Sequence, residues 1–219
     1  MKLILIGGGA LALEVLSFIC DQRAAGRACD REVIHIVCPT KSRENDLRQV
    51  CLNLNVVESI ADVSGLQDFQ AAVCIGDPAI RLRVFQEHGK YISRWATIVH
   101  PSAVIMPTAQ IGKGSIIAPN TYVGPMAKIG PNVLVNVGAS IGHDADIGHS
   151  SVISPQAAIN GFASCGTASF IGAAAIMNPG SSLGAYCKLS AGSVFSGKAD
   201  EGFLLHGNPA KGRQMFRAE

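Results

Sequence analysis

The chain has 219 residues, of which 18 are Lys or Arg and 16 are Asp or Glu, so its net charge is only +2. The basic residues form no long run and aromatic residues make up 5% of the chain, which argues against a nucleic-acid-binding protein. No apolar stretch reaches the roughly 18 residues that cross a bilayer, so we expect no membrane span. Seven scattered cysteines without a C-x-x-C pair favour reduced thiols in a cytoplasmic protein over disulfides or structural zinc.

The composition changes along the chain near Trp95. Helix-type sequence lies almost entirely before about Tyr91, whereas glycine, proline, serine and short apolar segments dominate from about Val99 onward. A chain of this length can form one long domain or two shorter ones. We therefore predict two domains, residues 1–95 and residues 96–219.

The first segment, MKLILIGGGALALEVLSFIC, places one lysine before an apolar run, as a signal peptide does. A run of three glycines, Gly7 to Gly9, interrupts it and Glu14 lies inside it, which favours a short strand, a tight turn and a helix. Further apolar runs follow at 33–37 and 71–75, and Asp77-Pro78 is typical of a helix N-terminus. These elements predict a small Rossmann-like β-α-β domain with a parallel sheet.

The glycine turn satisfies the pattern G-x-G-x-x-A, in which backbone N–H groups at a helix N-terminus bind a phosphate. A dinucleotide site also needs an acid after the second strand. Here that strand ends at Cys38-Pro39 and is followed by Lys41 and Arg43, which argues against NAD. Two interpretations remain: a site for another ligand, and a tight turn that binds nothing.

The second half of the chain repeats with a period of six. From Val99 to Phe195 an aliphatic or similar residue returns at every sixth position, seventeen times in register. The residue after it is Gly or Asn in 11 of these 17 hexads, which suits a tight turn. This pattern predicts a left-handed parallel β-helix, in which three hexads form one coil of about 18 residues.

The position two residues after each aliphatic residue is predicted to be an outward-facing corner. Proline occupies it at 101, 107, 119, 125, 131, 155 and 179, as expected where no ladder hydrogen bond is needed. His143 and His149 occupy the same position on two different edges, so they cannot share a metal ion within one chain, and we expect no metal site. His149 is interpreted as a surface corner residue, with lining of a cofactor groove as the alternative.

His143 is either a catalytic group or a solvated corner residue. Asp144 follows it at once and can orient the imidazole or favour its charged form. Gly161 lies one coil later, removes a side chain beside the ring and leaves a backbone N–H that a small substrate can reach.

Several segments resemble, in order, the bacterial sugar acyltransferases of the sialic-acid O-acetyltransferase type: the strand and glycine turn, GDPAIR, VHPSA, IGHDADIG and GNPAK. Relatives in that family N-acetylate nucleotide-linked 4-amino-sugars for surface glycans. The resemblance covers nearly the whole chain. It implies a homotrimer of left-handed β-helices with acetyl-coenzyme A (acetyl-CoA) in the groove between neighbouring subunits.

The resemblance also implies roles for individual residues. His143 would accept a proton from the sugar amine or hydroxyl as it attacks the thioester, with Asp144 as its acid partner. The N–H of Gly161 would stabilise the developing oxyanion, and no covalent acyl-enzyme is needed. Lys211 in GNPAK would contact the phosphates of coenzyme A, with Arg213 as a second candidate.

In the family the nucleotide-sugar is bound by the glycine loop and by residues near the GDPAIR helix, which correspond here to Gly7, Gly8, Gly9, Gly76 and Asp77. This chain departs from the pattern at two places. Relatives commonly carry a histidine where it has Leu11, and acids where it has Cys38-Pro39. We hypothesise that Lys41 and Arg43 compensate for these missing residues by binding a diphosphate.

We therefore expect an acetyl-CoA-dependent N-acetyltransferase that acts on an amino-sugar, linked to a nucleotide, in bacterial surface-polysaccharide biosynthesis. O-acetylation of a sugar hydroxyl is an alternative, because the same residues would perform it. A non-catalytic β-helical scaffold is an alternative of another class. A metal-dependent hydratase is the last alternative, and bound zinc would support it.

Overall fold

A computed structural model describes residues 2–26, 32–39, 43–51, 54–63, 68–92 and 94–216. The N-terminal elements are, in chain order, β1 (Lys2–Ile6), α1 (Ala10–Ala24), β2 (Glu32–Val37), α2 (Glu44–Val50), β3 (Asn55–Val57), a 3-10 helix (Ile60–Val63), β4 (Phe69–Val73) and α3 (Pro78–His88). The strands form a parallel sheet in the order β3-β2-β1-β4. None of the helices in the described ranges is long and apolar enough to cross a membrane.

Alternate side chains of β1 pack against different helices on the two faces of this sheet. Leu3 and Leu5 pack in one cluster with α1 and with Leu47 of α2, whereas Ile4 and Ile6 pack in another with the 3-10 helix. Successive side chains of a strand point to opposite faces, so β1 is buried on both sides. The apolar runs predicted as strands are β1, β2 and β4, while α2 and β3 were not predicted because neither is strongly periodic.

Eighteen strands of two residues follow in the described part of the chain. They are β5 (Ile98–Val99), β6 (Val104–Ile105), β7 (Gln110–Ile111), β8 (Ile116–Ile117), β9 (Tyr122–Val123), β10 (Lys128–Ile129), β11 (Leu134–Val135), β12 (Ser140–Ile141), β13 (Asp146–Ile147), β14 (Val152–Ile153), β15 (Ala158–Ile159), β16 (Ser164–Cys165), β17 (Phe170–Ile171), β18 (Ile176–Met177), β19 (Ser182–Leu183), β20 (Lys188–Leu189), β21 (Val194–Phe195) and β22 (Lys198–Ala199). Every third strand pairs in parallel, which gives three sheets. This is the architecture of a parallel β-helix.

The second residue of each strand points into the prism. Ile117, Val135, Ile153 and Ile171 are partners across successive strands and are each fully buried. Each partner lies 18 residues further along the chain, so the core is a continuous column along the axis. The hexad register read from the sequence is confirmed, because all seventeen predicted positions are the inward residues of strands.

The reason why glycine follows many of the inward residues differs from the predicted one. The residues with positive φ at the corners come two positions later, for example Asp144 (φ 56) and Phe162 (φ 60). At Gly142, instead, a Cβ would lie 2.6 Å from the backbone nitrogen of Gly161 in the next coil. Glycine is needed there because two coils approach closely, not because the chain turns tightly at that residue.

The N-terminal sheet is attached to the prism through the face that carries β8, β11 and β14. Their outward residues, Ile116, Leu134 and Val152, are buried in the same cluster as α1. The end of α1 also contacts the first coil, where Asp21 Oδ2 lies 3.1 Å from His100 Nε2. One of the three faces is therefore covered by the chain's own N-terminal helix.

A hairpin ends the stack. Strand β23 (Phe203–Gly207) pairs in parallel with β20, and β24 (Ala210–Gln214) runs antiparallel beside β23. Leu205 of the hairpin is buried against the last coil. The antiparallel strand thus terminates one of the parallel sheets.

Candidate active site

His143 lies at the corner between β12 and β13 and is exposed. Its Nδ1 is 2.9 Å from Oδ2 of Asp144. Because a carboxylate only accepts hydrogen bonds, this contact places the ring proton on Nδ1 and leaves Nε2 able to accept a proton. Asp144 is held for this contact by the corner itself, where its N–H donates to Pro125 O at 3.0 Å.

Gly161 lies directly against the other side of the imidazole. A Cβ at this position would be 2.5 Å from His143 Nε2 and 2.7 Å from Cε1, so the ring occupies space that only glycine leaves. Within the described part of the chain, no acceptor takes the N–H of Gly161. A proton acceptor and an available N–H donor therefore lie next to each other on one edge of the prism, as general-base catalysis with oxyanion stabilisation requires.

Phe162 forms a wall beside this pair of groups and was not identified from the sequence. Its ring meets the ring of His143 edge to face, with centroids 5.0 Å apart, and its side chain is 63% exposed. It has positive φ, which is unfavourable for a bulky residue. The available signal was a phenylalanine at a corner position that elsewhere holds mostly small or polar residues.

His149 is not the solvated corner residue that the sequence suggested. It is partly buried beneath α3, where Phe85 meets its ring edge to face at 5.0 Å, and Ser150 Oγ lies 2.7 Å from its Nδ1. Burial, together with the positive charges of Arg81 and Lys113, lowers the pKa of His149. The hexad register places the residue on its edge but does not reveal that a helix covers that edge. Among the described residues, no three or more His, Cys, Asp and Glu side chains are grouped to hold a metal ion.

The glycine turn forms one side of a cavity that we call the glycine cavity. This cavity of about 510 Å³ is lined by Gly7, Gly8, Gly9, Ala10, Leu11, Cys38, Pro39, Cys74, Ile75 and Gly76. At Gly8 a Cβ would lie 2.4 Å from Cys38 Sγ, so the turn and the end of β2 are in close contact. Asp77 does not line this cavity; its Oδ1 accepts from the Ile80 N–H at 2.9 Å and caps α3.

Three basic residues were predicted to contact phosphate groups, and the structure describes two of them, Arg43 and Lys211. Arg43 forms an ion pair at the start of α2, where its Nε lies 2.9 Å from Asp46 Oδ2. Arg43 does not line the glycine cavity. Lys41 lies outside the described residues. Lys211 is exposed on β24, opposite His206, and belongs to a different face of the prism from the His143 corner.

Arg81, within the segment GDPAIR, is a structural residue that the sequence reading missed. It is fully buried and makes its hydrogen bonds to oxygen atoms that carry no formal charge. Its Nη1 donates to the carbonyls of Val73 (2.7 Å) and Ile75 (2.9 Å), and its Nε and Nη2 donate to Asn132 at 3.0 to 3.1 Å. Burial lowers the pKa of Arg81 to about 10, which still leaves it charged at neutral pH. The side chain therefore joins the N-terminal sheet to the β-helix.

Three solved structures similar to this chain bind coenzyme A or its acetyl ester. PerB from Caulobacter crescentus, in complex with CoA and GDP-perosamine, is 27% identical, has a TM-score of 0.85, and the match covers 97% of each chain. A variant of perosamine N-acetyltransferase from the same organism, with the same two ligands, is 27% identical with a TM-score of 0.83 and 97% coverage of each chain. The acetyltransferase domain of PglB from Neisseria gonorrhoeae, with acetyl coenzyme A, is 24% identical with a TM-score of 0.81, and the match covers 96% of this chain and 98% of that one. No protein-family model matches the chain, and no curated protein matches it at a significant level.

The fold and the similarity to PerB define an acyltransferase built on a parallel β-helix. Within that class the chain is similar to sugar N-acetyltransferases, which confirms the resemblance inferred from its motifs. The match to PerB extends over the N-terminal sheet as well as the β-helix, because it covers 97% of both chains. The roles of the individual residues remain predictions.

Proposed function

We propose that the chain is an acetyl-CoA-dependent N-acetyltransferase that acts in the cytoplasm on a nucleotide-linked 4-amino-sugar, for surface-polysaccharide biosynthesis. The observation that carries this proposal is the corner where Asp144 orients His143 against Gly161. The similarity to PerB, solved with CoA and GDP-perosamine, supports the co-substrate and the class of acceptor. In this proposal residues 1–95 form a Rossmann-like domain that binds the acceptor, and residues 96–219 form a left-handed β-helix.

The residues at the corner account for each proton in the reaction. As the sugar amine attacks the thioester carbonyl carbon, Nε2 of His143 accepts a proton from the amine. The N–H of Gly161 donates a hydrogen bond to the carbonyl oxygen while that oxygen becomes negative. When the carbon–sulfur bond breaks, the imidazolium returns the proton to the departing thiolate. Asp144 keeps the ring oriented and stabilises its positive charge in between.

Replacing Gly161 by alanine should disable this arrangement without unfolding the protein. The added methyl group would meet the imidazole of His143 at 2.5 Å, so the exposed ring must move away from the edge. We expect kcat to fall by roughly tenfold or more, because the base no longer lies at the position it needs. A control is Gly180→Ala in the next coil of the same edge, where no atom lies within 4 Å of the added methyl group. Its φ is positive (+70), and alanine already adopts positive φ at the equivalent corner positions Ala168 and Ala174. Equal losses in the two variants would contradict the role of Gly161.

The nucleotide is proposed to bind in the glycine cavity, where Gly7, Gly8, Gly9 and Gly76 present backbone to the ligand. Asp77 contributes by capping α3 at its border. The hypothesis that Lys41 and Arg43 bind a diphosphate requires Arg43 to exchange its contact with Asp46. Unchanged affinity for the nucleotide-sugar in a Lys41→Ala, Arg43→Ala protein would exclude it.

The proposed assembly is a homotrimer, supported by an apolar column on the face that carries β6, β9, β12, β15, β18 and β21. Its outward residues are Val104 and Tyr122, which are 51% and 40% exposed, then Ser140, and then Ala158, Ile176 and Val194. The His143 corner borders this face. A neighbouring subunit packed on the column would therefore complete the groove in which acetyl-CoA is proposed to bind.

A charge placed on this face should dissociate the trimer. Tyr122→Glu puts a carboxylate in the apolar column, where burial of an unpaired charge is costly. We expect light scattering to give a mass near three times 22.8 kDa, about 68 kDa, for the wild type and a much lower mass for this variant. Gln110→Glu, exposed at the equivalent position of β7 on another face, is the matched control and should keep the wild-type mass. A wild type that is monomeric would contradict the proposed assembly.

The experiment that tests the proposed function is a calorimetric titration with acetyl-CoA, because it requires no choice of sugar. Saturable binding at about one site per chain, weakened in a Lys211→Ala variant, would support the acyltransferase and the proposed phosphate contact. UDP-, dTDP- and GDP-linked 4-amino-sugars would then be screened for thiol release. Absence of binding would contradict the proposal and favour the scaffold interpretation.

A further inference from the structure

A cavity that the proposed reaction does not use lies between α3 and the first coils of the β-helix. It has a volume of about 790 Å³ and is lined by Gln70, Phe85, Gln86, Gly89, Ile92, Arg94, Trp95, Lys113 and His149. It shares no lining residue with the glycine cavity. It also lies on the edge of the prism that carries Lys113 and His149, whereas His143 and Gly161 lie on another. We call it the junction cavity.

The charged groups in the lining of the junction cavity are all basic. Lys113 and Arg94 are exposed, and neither forms an ion pair with any residue in the described part of the chain. The buried Arg81 adds a third positive charge close to His149. Burial, with the charges of Arg81 and Lys113, lowers the pKa of His149. Groups of like charge converging on a concave surface attract a counter-ion of opposite sign.

Polar groups in this region also lack partners. Gln70 Oε1 is buried and has no hydrogen-bond partner among the described residues. His149 uses Nδ1 for its contact with Ser150, which leaves Nε2 for another group. Buried polar groups in native proteins are nearly always hydrogen-bonded, so Gln70 Oε1, which only accepts, indicates a missing donor such as a hydroxyl in the organic part of a ligand.

One side of the junction cavity is aromatic. Trp95 stacks on Phe85, with centroids 4.2 Å apart and an interplanar angle of 25°, and Ile92 lies buried beside them. Phe85 is buried whereas Trp95 is partly exposed, so Trp95 presents the accessible part of this pair. Such a surface takes the apolar part of a ligand, while cations in the same cavity take its anionic part.

We propose that the junction cavity is a second ligand site, which binds a small organic phosphate with the phosphate between Arg94, Lys113 and His149 and the organic part against Trp95. A phosphate fits better than a carboxylate because it carries up to two negative charges and has enough acceptor oxygens to bind three donors at once. None of its lining residues belongs to the His143 corner or to the glycine cavity.

Trp95 is the single tryptophan of the chain, so its fluorescence reports on this cavity directly. The probe is phenyl phosphate, titrated at fixed ionic strength and pH 7.5, with phenol as the same ring without the charge. We expect a saturable change in fluorescence with phenyl phosphate and none with phenol. Lys113→Gln and Arg94→Gln should each weaken the apparent affinity by roughly tenfold, the scale of one charge-assisted contact.

Two further variants make the outcome decisive. Lys128→Gln removes an exposed lysine from the β10 face and should leave the affinity unchanged. His143→Ala should also leave it unchanged, which separates this site from the acetyl-transfer corner. Absence of saturation, or equal affinity in the Lys113→Gln, Arg94→Gln and Lys128→Gln proteins, would overturn the proposal. Neither result depends on whether the chain acetylates a sugar.

Discussion

The His143→Ala variant should lose acetyl transfer while it keeps its fold. We expect kcat to fall by roughly a hundredfold or more, which is the usual scale for removal of a general base. The side chain is 56% exposed, and its contacts are with Asp144, Gly161 and Phe162 at the surface, so its removal leaves no buried cavity. Thiol release under saturating acetyl-CoA and acceptor is the measurement, with calorimetric acetyl-CoA affinity and the mass of the assembly as checks on integrity.

A pair of acid variants separates the proposed orienting role from a general effect of charge. Asp144→Asn weakens the contact that holds the Nδ1 proton, and we expect a clear loss of kcat. Asp146→Asn removes an exposed carboxylate two residues away, on the outward side of β13, and should keep wild-type kcat. Turnover near wild type in His143→Ala would exclude the assigned base. Equal losses in the two acid variants would exclude the orienting role of Asp144.

The second large effect is expected on stability, at Arg81. Replacement by alanine leaves three buried oxygen atoms without their donor, which are the carbonyls of Val73 and Asn132 and Asn132 Oδ1, and also the partly buried carbonyl of Ile75. Unsatisfied buried acceptors cost about 1–3 kcal/mol each, and partial access of water reduces the sum. We therefore expect the free energy of unfolding to fall by about 3–5 kcal/mol, measured by urea denaturation.

Arg83→Ala is the matched control, because Arg83 lies exposed on the same helix. An exposed arginine without such partners should change the free energy of unfolding by less than about 0.5 kcal/mol. Arg81→Lys keeps the charge but lacks the planar fork that reaches two carbonyls and Asn132 together, so it should not restore stability. Full stability in Arg81→Lys would show that charge alone matters and that the hydrogen-bond geometry does not.

The β-helix was predictable because each hexad decides its own orientation locally. One aliphatic residue must face inward in every strand, and a slip of one residue would expose it. That register alone places His143, Asp144 and Gly161 on one edge, and the structure brings the three together. Local periodicity therefore determined both the architecture and the position of the candidate base.

The features that could not be predicted depend on contacts between distant parts of the chain. The register shows that His149 lies at a corner but not that α3 covers that corner. Arg81 reads as an ordinary polar position in a helix, and only its contact with Asn132, 51 residues away, explains why it is buried. The junction cavity likewise exists only where the two parts of the molecule meet.

The hairpin at the end of the stack has a consequence for solubility at high concentration. A parallel β-helix whose last coil is open offers unpaired N–H and C=O groups that another chain can extend into a filament. Here β24 runs against the direction of the coils and carries exposed Lys211 and Arg213 along the last edge of its sheet. An incoming coil would meet reversed strand polarity and positive charge on this sheet, so the hairpin opposes end-to-end polymerisation through one of the three faces.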